Sequence, residues 1–544
     1  MRHATKITPK RFFIIAASIS LLSACQPTDS DSPANKGADA ALAQLPPSPL
    51  TPDLKPDSVV IGQVILRSPL PDPKTSNYDD CLYTAEIYVL RIESGKPIQR
   101  SITVALPGFL KRTVTESGKY KIGELVHMTL SDIDSVPESV KTMQRSDTLE
   151  NVSLDFFYAL SSAKLEKTAA NLSPQDGTHF LVDPETAKKA STPVAYPRSE
   201  KAAALRATSI QNDIQTIRKR LESHGNDWRK WSQELDPFFT NLRQKVEQSP
   251  SKDLREGKLY FQSQQDDAYL EICEKIETGS PGPFTMLRGL SQQLRERGID
   301  LIVAPLPFKE DVNAGHFSDL APKDGVFVPH RQKFLLHLLE ADVEVIDLVP
   351  PLQQGLDRYP FVFYDGPDDH PADGAIQISA HAVAERLQRY EFQSMPGYQA
   401  LEFKTEDSEF VIQKSAAGFV AGSHYPATVV DISAGGFIEN KGRKGVSPIV
   451  LIGDSVTLVP MQLNGTASFP AHLAKDCGLE VDRLLNLGGS SQAMQHIARA
   501  GNNFLAERWV MVFYFSPNRL MGKKSTMGDK GAWNLIDLPP MILE

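Results

Sequence analysis

Pro448-Ile449-Val450-Leu451-Ile452-Gly453-Asp454-Ser455 is a short, unbroken apolar run that ends on a glycine, an acid and a hydroxyl. An apolar run of this length suits a strand buried on both faces, as in a parallel sheet. Working outward, a helix over Phe284–Arg297 stops at Gly298 and a strand over Leu301–Ala304 follows. A helix over Arg331–Ala341 precedes a strand over Val343–Leu348, and a helix over Gly374–Leu387 comes next. Beyond Ser455, a helix over Ser491–Ala506 leads into a strand over Trp509–Phe515. Helices alternating with buried strands predict an α/β fold, a doubly wound parallel sheet covered by helices on both faces. Ligands collect at the carboxyl ends of such strands, where Ser455 is placed.

The chain has 544 residues, 41% of them hydrophobic and 23% charged, with a net charge of -9. That balance argues against a nucleic-acid partner, because binding phosphates needs clustered cations. Residues 1–25 read as a lipoprotein signal. A basic start with Arg2, Lys6, Lys10 and Arg11 is followed by the apolar run Phe12–Leu22 and then Leu22-Ser23-Ala24-Cys25. The apolar run is too short for a permanent membrane span. Cys25 is then the lipid attachment point, and the mature chain works on the periplasmic face of a bacterial membrane. Gln26 follows it, with no Asp to retain the protein at the inner membrane, so the outer membrane is the default destination.

Residues 26–57, rich in Pro, Ser, Ala and Asp, read as a flexible tether. Residues 58–165 read as a small all-β accessory domain, with strands over Val59–Leu66, Glu86–Ile92, Ile102–Leu106 and Gly123–Leu130. Residues 166–199 read as a linker and 200–257 as a helical segment. In that segment Ile210, Ile214, Ile217 and Leu221 recur at helical spacing, and Trp228, Trp231, Leu235, Phe238 and Leu242 continue the stripe beyond Gly225. The stripe reads as core packing ahead of sugar binding. Residues 258–544 form the α/β domain. Cys81, Cys273 and Cys477 remain after Cys25, and Cys273 with Cys477 is a conceivable disulfide.

Gly453 allows a sharp turn that leaves Ser455 accessible. A serine becomes nucleophilic through a base that a carboxylate orients. Gly366-Pro367-Asp368-Asp369-His370 supplies both: His370 as base and Asp368 as orienter, with Asp369 an alternative. The Gly488-Gly489-Ser490 turn, together with the amide of Ser455, offers an oxyanion hole. His381, inside a predicted helix, reads as a packed or surface histidine. Lys309 and Asp311 read as a solvated loop ahead of a site lining. No Cys/His cluster has metal-ligand spacing, so neither a metal nor a cofactor is expected.

Three segments together resemble a known family: Gly298-Ile-Asp-Leu-Ile-Val-Ala-Pro-Leu-Pro-Phe-Lys-Glu-Asp-Val312, then Asp368-x-His370, then Leu451-Ile-Gly-Asp-Ser455. They look like the SGNH hydrolase-like domain of alginate O-acetyltransferases of the AlgX and AlgJ type, over roughly residues 258–520. Asp and His precede Ser in both, the reverse of ordinary SGNH esterases. The resemblance implies Ser455 as nucleophile, His370 as general base and Asp368 as its orienter. It also implies an exported polysaccharide as acceptor, and acetyl supplied by a membrane-bound acyltransferase or an acetyl relay protein. This chain departs from the pattern at Pro371, where relatives carry Trp after the histidine, and at Phe513-Tyr514, where they carry Trp-Glu. With its end at Glu544, the chain is not expected to carry the C-terminal carbohydrate-binding module of some members. Two other readings keep the same residues: a carbohydrate esterase with water as acceptor, and a non-catalytic polysaccharide-binding or export scaffold.

Overall fold

This computed structural model describes residues 50–165, 180, 199–248, 262–358, 370–411, 422–431, 447–516, 520 and 533–538, short breaks within these spans excepted. All of them belong to one unit, Pro46–Glu544. The signal, Cys25, Asp368, Asp369, Gly488, Gly489 and most of the tether and linker lie outside the described residues. Among the described residues no helix is long and apolar enough to cross a membrane.

The N-terminal part is built on β1 (Ser58–Arg67), β2 (Cys81–Gly95), β3 (Ser101–Leu110), β4 (Leu125–Asp132) and β5 (Phe156–Lys164). β1 pairs antiparallel with β2 and β4, β2 with β3, and β4 with β5. The ring closes through a parallel pairing of β3 with β5, Thr103 opposite Phe156. This order, 1-2-3-5-4 and back to 1, is that of an OB-fold barrel. Alternation explains the interior: Val60 and Val64, Ile87 and Val89, Ile102 and Val104, and Val126 and Met128 point inward and are fully or almost fully buried. Closure also removes most of the free sheet edge that a small β domain would otherwise expose.

The C-terminal sheet contains β6 (Asp300–Pro305), β7 (Glu344–Val345), β10 (Ile449–Gly453), β11 (Asp482–Leu485) and β12 (Val510–Phe515). Between β7 and β10 lies a separate antiparallel hairpin, β8 (Thr405–Val411) with β9 (His424–Val430). The large sheet is parallel throughout, in the order β11-β10-β12-β6-β7. Counted from β10, the strand leading into Ser455, the order is 2-1-3-4-5. That is a doubly wound order whose crevice opens between the first and third strands, here β10 and β12. The chain enters this pattern at its fourth strand, so a residue following β7 precedes the serine in sequence yet meets the same sheet edge. The physical basis of the Asp-His-before-Ser order is therefore a cyclic shift of the strands.

Helices cover both faces. One face carries α1 (Glu200–Ser223), α2 (Trp228–Glu234), α3 (Asp236–Gln248), α4 (Gln262–Glu277), α5 (Pro283–Glu296) and α6 (Pro329–Glu340), with α10 (Ala493–Leu505) completing the layer. The other carries α7 (Val349–Gly355), α8 (Asp373–Leu387) and α9 (Phe469–Cys477). Strand residues alternate between the two layers: Val450 and Ile452 face the first, Ile449 and Leu451 the second, and all are buried. The apolar stripe of the helical segment packs into the first layer, with Trp231 fully buried and His224 stacked on it at 4.5 Å. Gly225 and Asn226, at φ 75° and 60°, break that stripe between α1 and α2.

The structure answers one open question and corrects one expectation. Cys273 and Cys477 do not pair: all three described cysteines are free, Cys273 in the layer on one side of the sheet and Cys477 against the other. Asp311 does not sit in a solvated loop. It is buried, its carboxylate accepts from the Phe308 amide at 3.2 Å, and burial, opposed by the nearby Arg331, pushes its pKa up to about 7.

Candidate active site

β10 delivers the serine. At Gly453 a Cβ would stand 2.3 Å from the Tyr514 carbonyl oxygen and 2.4 Å from Thr457 Oγ1, so only glycine lets β10 approach β12 this closely as it turns. Asp454 then caps the short 3-10 turn Ser455–Thr457, accepting from the Val456 amide at 3.2 Å. Its second oxygen accepts from the Ser516 amide at 3.3 Å, tying the turn to the end of β12. Asp454 is 1% exposed and Ser455 7% exposed. The acid next to the serine thus shapes the turn, while the hydroxyl stands at the crevice.

His370 meets it there: Nε2 lies 3.0 Å from Ser455 Oγ, within hydrogen-bond reach, although the two are 85 residues apart. His370 is half-buried and sits three residues before α8. The start of α8 is pinned by the hairpin, whose Thr428 donates to Asp373 through its amide at 2.7 Å and through its hydroxyl at 3.0 Å. Gln377 donates to both Asp373 and Thr428, and His472 Nε2 donates to the Thr428 carbonyl at 3.0 Å. Burial lowers the His472 pKa to about 4, so it serves as a neutral donor. The polar, charge-rich β8 gave no sign in sequence of the hairpin whose other strand, β9, does this bracing.

The other sequence readings distribute as follows. Asp368, Asp369, Gly488 and Gly489 lie outside the described residues. His381 is an exposed residue of α8, near Glu385 and Asp476. Phe513 and Tyr514 are fully buried on opposite faces of β12, and Tyr514 stacks on Phe469 at 4.1 Å. They are core residues of the strand beside Ser455.

Sequence reasoning missed Asn486, at the carboxyl end of β11. It is fully buried, and its amide donates to the Gly453 carbonyl at 3.2 Å. A polar residue closing the apolar Leu484-Leu485 pair ahead of two glycines was the available signal. A hydroxyl and an imidazole within hydrogen-bond reach at the crevice of a doubly wound sheet are the pair that forming and breaking an ester requires.

Residues 274–503 match the family model of the SGNH hydrolase-like domain, acetyltransferase AlgX. Among solved structures, the chain is similar to the O-acetyltransferase domain of Pseudomonas putida AlgJ, at 19% identity and a TM-score of 0.33, over 44% of this chain and 83% of that one. It is similar to AlgX of Pseudomonas aeruginosa at 16% identity and a TM-score of 0.32, over 45% of this chain and 59% of that one. PatB1 of Bacillus cereus is similar at 12% identity and a TM-score of 0.27, over 46% and 95%. No curated protein matches the chain.

Proposed function

Starting from residues 274–503 as an SGNH hydrolase-like domain of the AlgX acetyltransferase kind, we propose that this protein is a lipid-anchored periplasmic O-acetyltransferase of an exported polysaccharide. Ser455 is the residue that carries the acetyl group. The observation that supports this most is the 3.0 Å approach of His370 Nε2 to Ser455 Oγ at the carboxyl end of β10.

In the first half-reaction Ser455 Oγ attacks the acetyl carbonyl of the donor while His370 takes the hydroxyl proton. The amide of Ser455, with those of Gly488 and Gly489, stabilises the oxyanion. The donor's leaving group departs with the proton from His370. In the second, a sugar hydroxyl attacks the acetyl-serine, His370 takes its proton, and the proton returns to Ser455 Oγ. Asp368 orients His370 in both steps. Water competes with the sugar, so transfer requires an acceptor held against the acetyl-enzyme. Cys25 tethers the chain to the membrane, and a membrane-bound acyltransferase or an acetyl relay protein supplies the donor.

Incubation with an aryl acetate and an oligosaccharide tests this reading. The proposal expects acetyl on the sugar, detected by mass. Acetate release without sugar acetylation would make the protein an esterase. Neither product would leave a non-catalytic scaffold.

A further inference from the structure

The connection from β4 to β5, residues 133–155, crosses from the barrel to the catalytic domain. Its Val136 and Val140 lie over Leu82, Ala105, Tyr158 and Leu160 on the outer side of the barrel. In OB-fold barrels the face of the second and third strands and the loops flanking it take ligands. Here that face is covered by the barrel's own connection, which carries its polar residues onward into the sheet domain.

Two joints follow. At the first, Asp147 accepts Thr84 Oγ1 of β2 at 2.9 Å and a two-pronged contact from Arg499 of α10, at 2.7 and 2.9 Å. Arg499 also donates to Thr103 Oγ1 of β3 at 3.2 Å. Burial would raise the Asp147 carboxyl, but Arg499 and Arg145 overcome it and hold the pKa at about 2. At the second joint, the Arg145 amide donates to Asn486 Oδ1 at 3.1 Å. Asn486 Nδ2 is within reach of the Arg145 carbonyl at 3.4 Å and of His496 Nε2 at 2.9 Å. Burial lowers the His496 pKa to about 3, so its ring is neutral and Nε2 accepts. This fixes the orientation of the Asn486 amide. One residue on, the Leu487 amide donates to the Thr142 carbonyl at 2.9 Å.

We infer that Asn486 is a positioning residue for acetyl transfer, through which the barrel's connection holds the turn that carries Ser455. Asn486 spends its side chain on the barrel and on His496, and its main-chain amide on the Gly453 carbonyl, two residues before the nucleophile. A shift of the connection therefore reaches the direction of the Ser455 hydroxyl and amide without any barrel residue touching substrate. Displacement of a reacting group by about 1 Å can cost up to about a hundredfold in rate. This inference rests on the acetyl-serine reading above.

The test follows acetylation of Ser455 by an aryl acetate in the full chain, in wild type, Asn486→Ala and Arg499→Lys. Arg499→Lys keeps the charge opposite Asp147 but loses the fork, and it lies on α10, outside the catalytic pair. The expected result is a kcat lower by about tenfold to a hundredfold for Asn486→Ala and severalfold for Arg499→Lys, with KM and the acid limb of the pH–rate profile unchanged. Wild-type kcat in a folded Asn486→Ala would overturn the inference. If Asn486→Ala does not fold, Arg499→Lys decides: wild-type kcat with only a lower Tm would make the joint purely structural. Absence of acetyl on wild-type Ser455 would instead overturn the acetyltransferase reading, and this inference with it.

Discussion

The barrel and the parallel sheet solve the problem of strand ends in opposite ways. In the barrel, strands close on one another, the core is a single alternating layer, and the connection from β4 to β5 docks on the sheet domain through buried polar contacts. In the sheet, every described strand is buried on both faces and the carboxyl ends carry the candidate pair, Ser455 after β10 and His370 beyond β7. Their apolar cores form separate clusters, yet a buried ion pair and a bracketed asparagine join them. On the inference above, the barrel acts on acetyl transfer only through the backbone it holds, since its connection reaches Asn486 and Asn486 reaches Gly453.

The sharpest way to break this comparison is Arg499→Ala. It removes the paired guanidinium of the fully buried Asp147, and the loss expected for breaking a buried pair is about 3–5 kcal/mol. Thermal or denaturant unfolding checks this, and a change within about 0.5 kcal/mol would mean that the joint does not hold the two regions together. Next come matched core deletions. Leu106→Ala in the barrel and Leu451→Ala in the sheet each remove a fully buried side chain and should cost about 2–5 kcal/mol. Followed by calorimetry, both should lower one common transition. Two separable transitions would show that the regions are joined but not cooperative.

A smaller effect concerns pH. His472 stays neutral in the fold with its pKa lowered to about 4, whereas in the unfolded chain it protonates near 6.5. Its contribution is complete above about pH 6.5 and is lost as pH falls toward 4. His472→Gln should flatten that part of the stability curve by about 1–3 kcal/mol, measured as urea midpoints from pH 7 to pH 4. His496 adds a similar slope, so some dependence should remain in the variant. The smallest effect expected is none: reductant should leave the Tm unchanged, because Cys81, Cys273 and Cys477 are free thiols. A Tm lowered by reductant would contradict the placement of Cys273 and Cys477 on opposite sides of the sheet.

Much of the sheet was legible because a strand buried on both faces must be an apolar run. Leu301–Ala304, Pro448–Ile452 and Trp509–Phe515 all lie on observed strands to within a residue or so. Val343–Leu348 was read too long, since only Glu344 and Val345 pair with β6. The hairpin was invisible because Thr405–Glu409 is polar and largely exposed, its partner lying across a turn. Barrel closure was equally hidden, since β3 meets β5 by a parallel pairing that no local pattern announces. Ser455 and His370 were readable from residue type and strand position, and their proximity is a matter of topology. Asn486 was not, because its side chain is bracketed between the main chain of Arg145, 341 residues away, and the ring of His496, and no local pattern announces either contact.

The central claim is that Ser455 takes an acetyl group with His370 as its base. Peptide mass measurement after brief incubation with an activated acetyl ester tests it most directly. Wild type should gain one acetyl on the peptide containing Ser455, Ser455→Ala should gain none there, and His370→Ala should label slower by about a thousandfold or more. Equal labelling of wild type and Ser455→Ala, or wild-type labelling rates in His370→Ala, would contradict it.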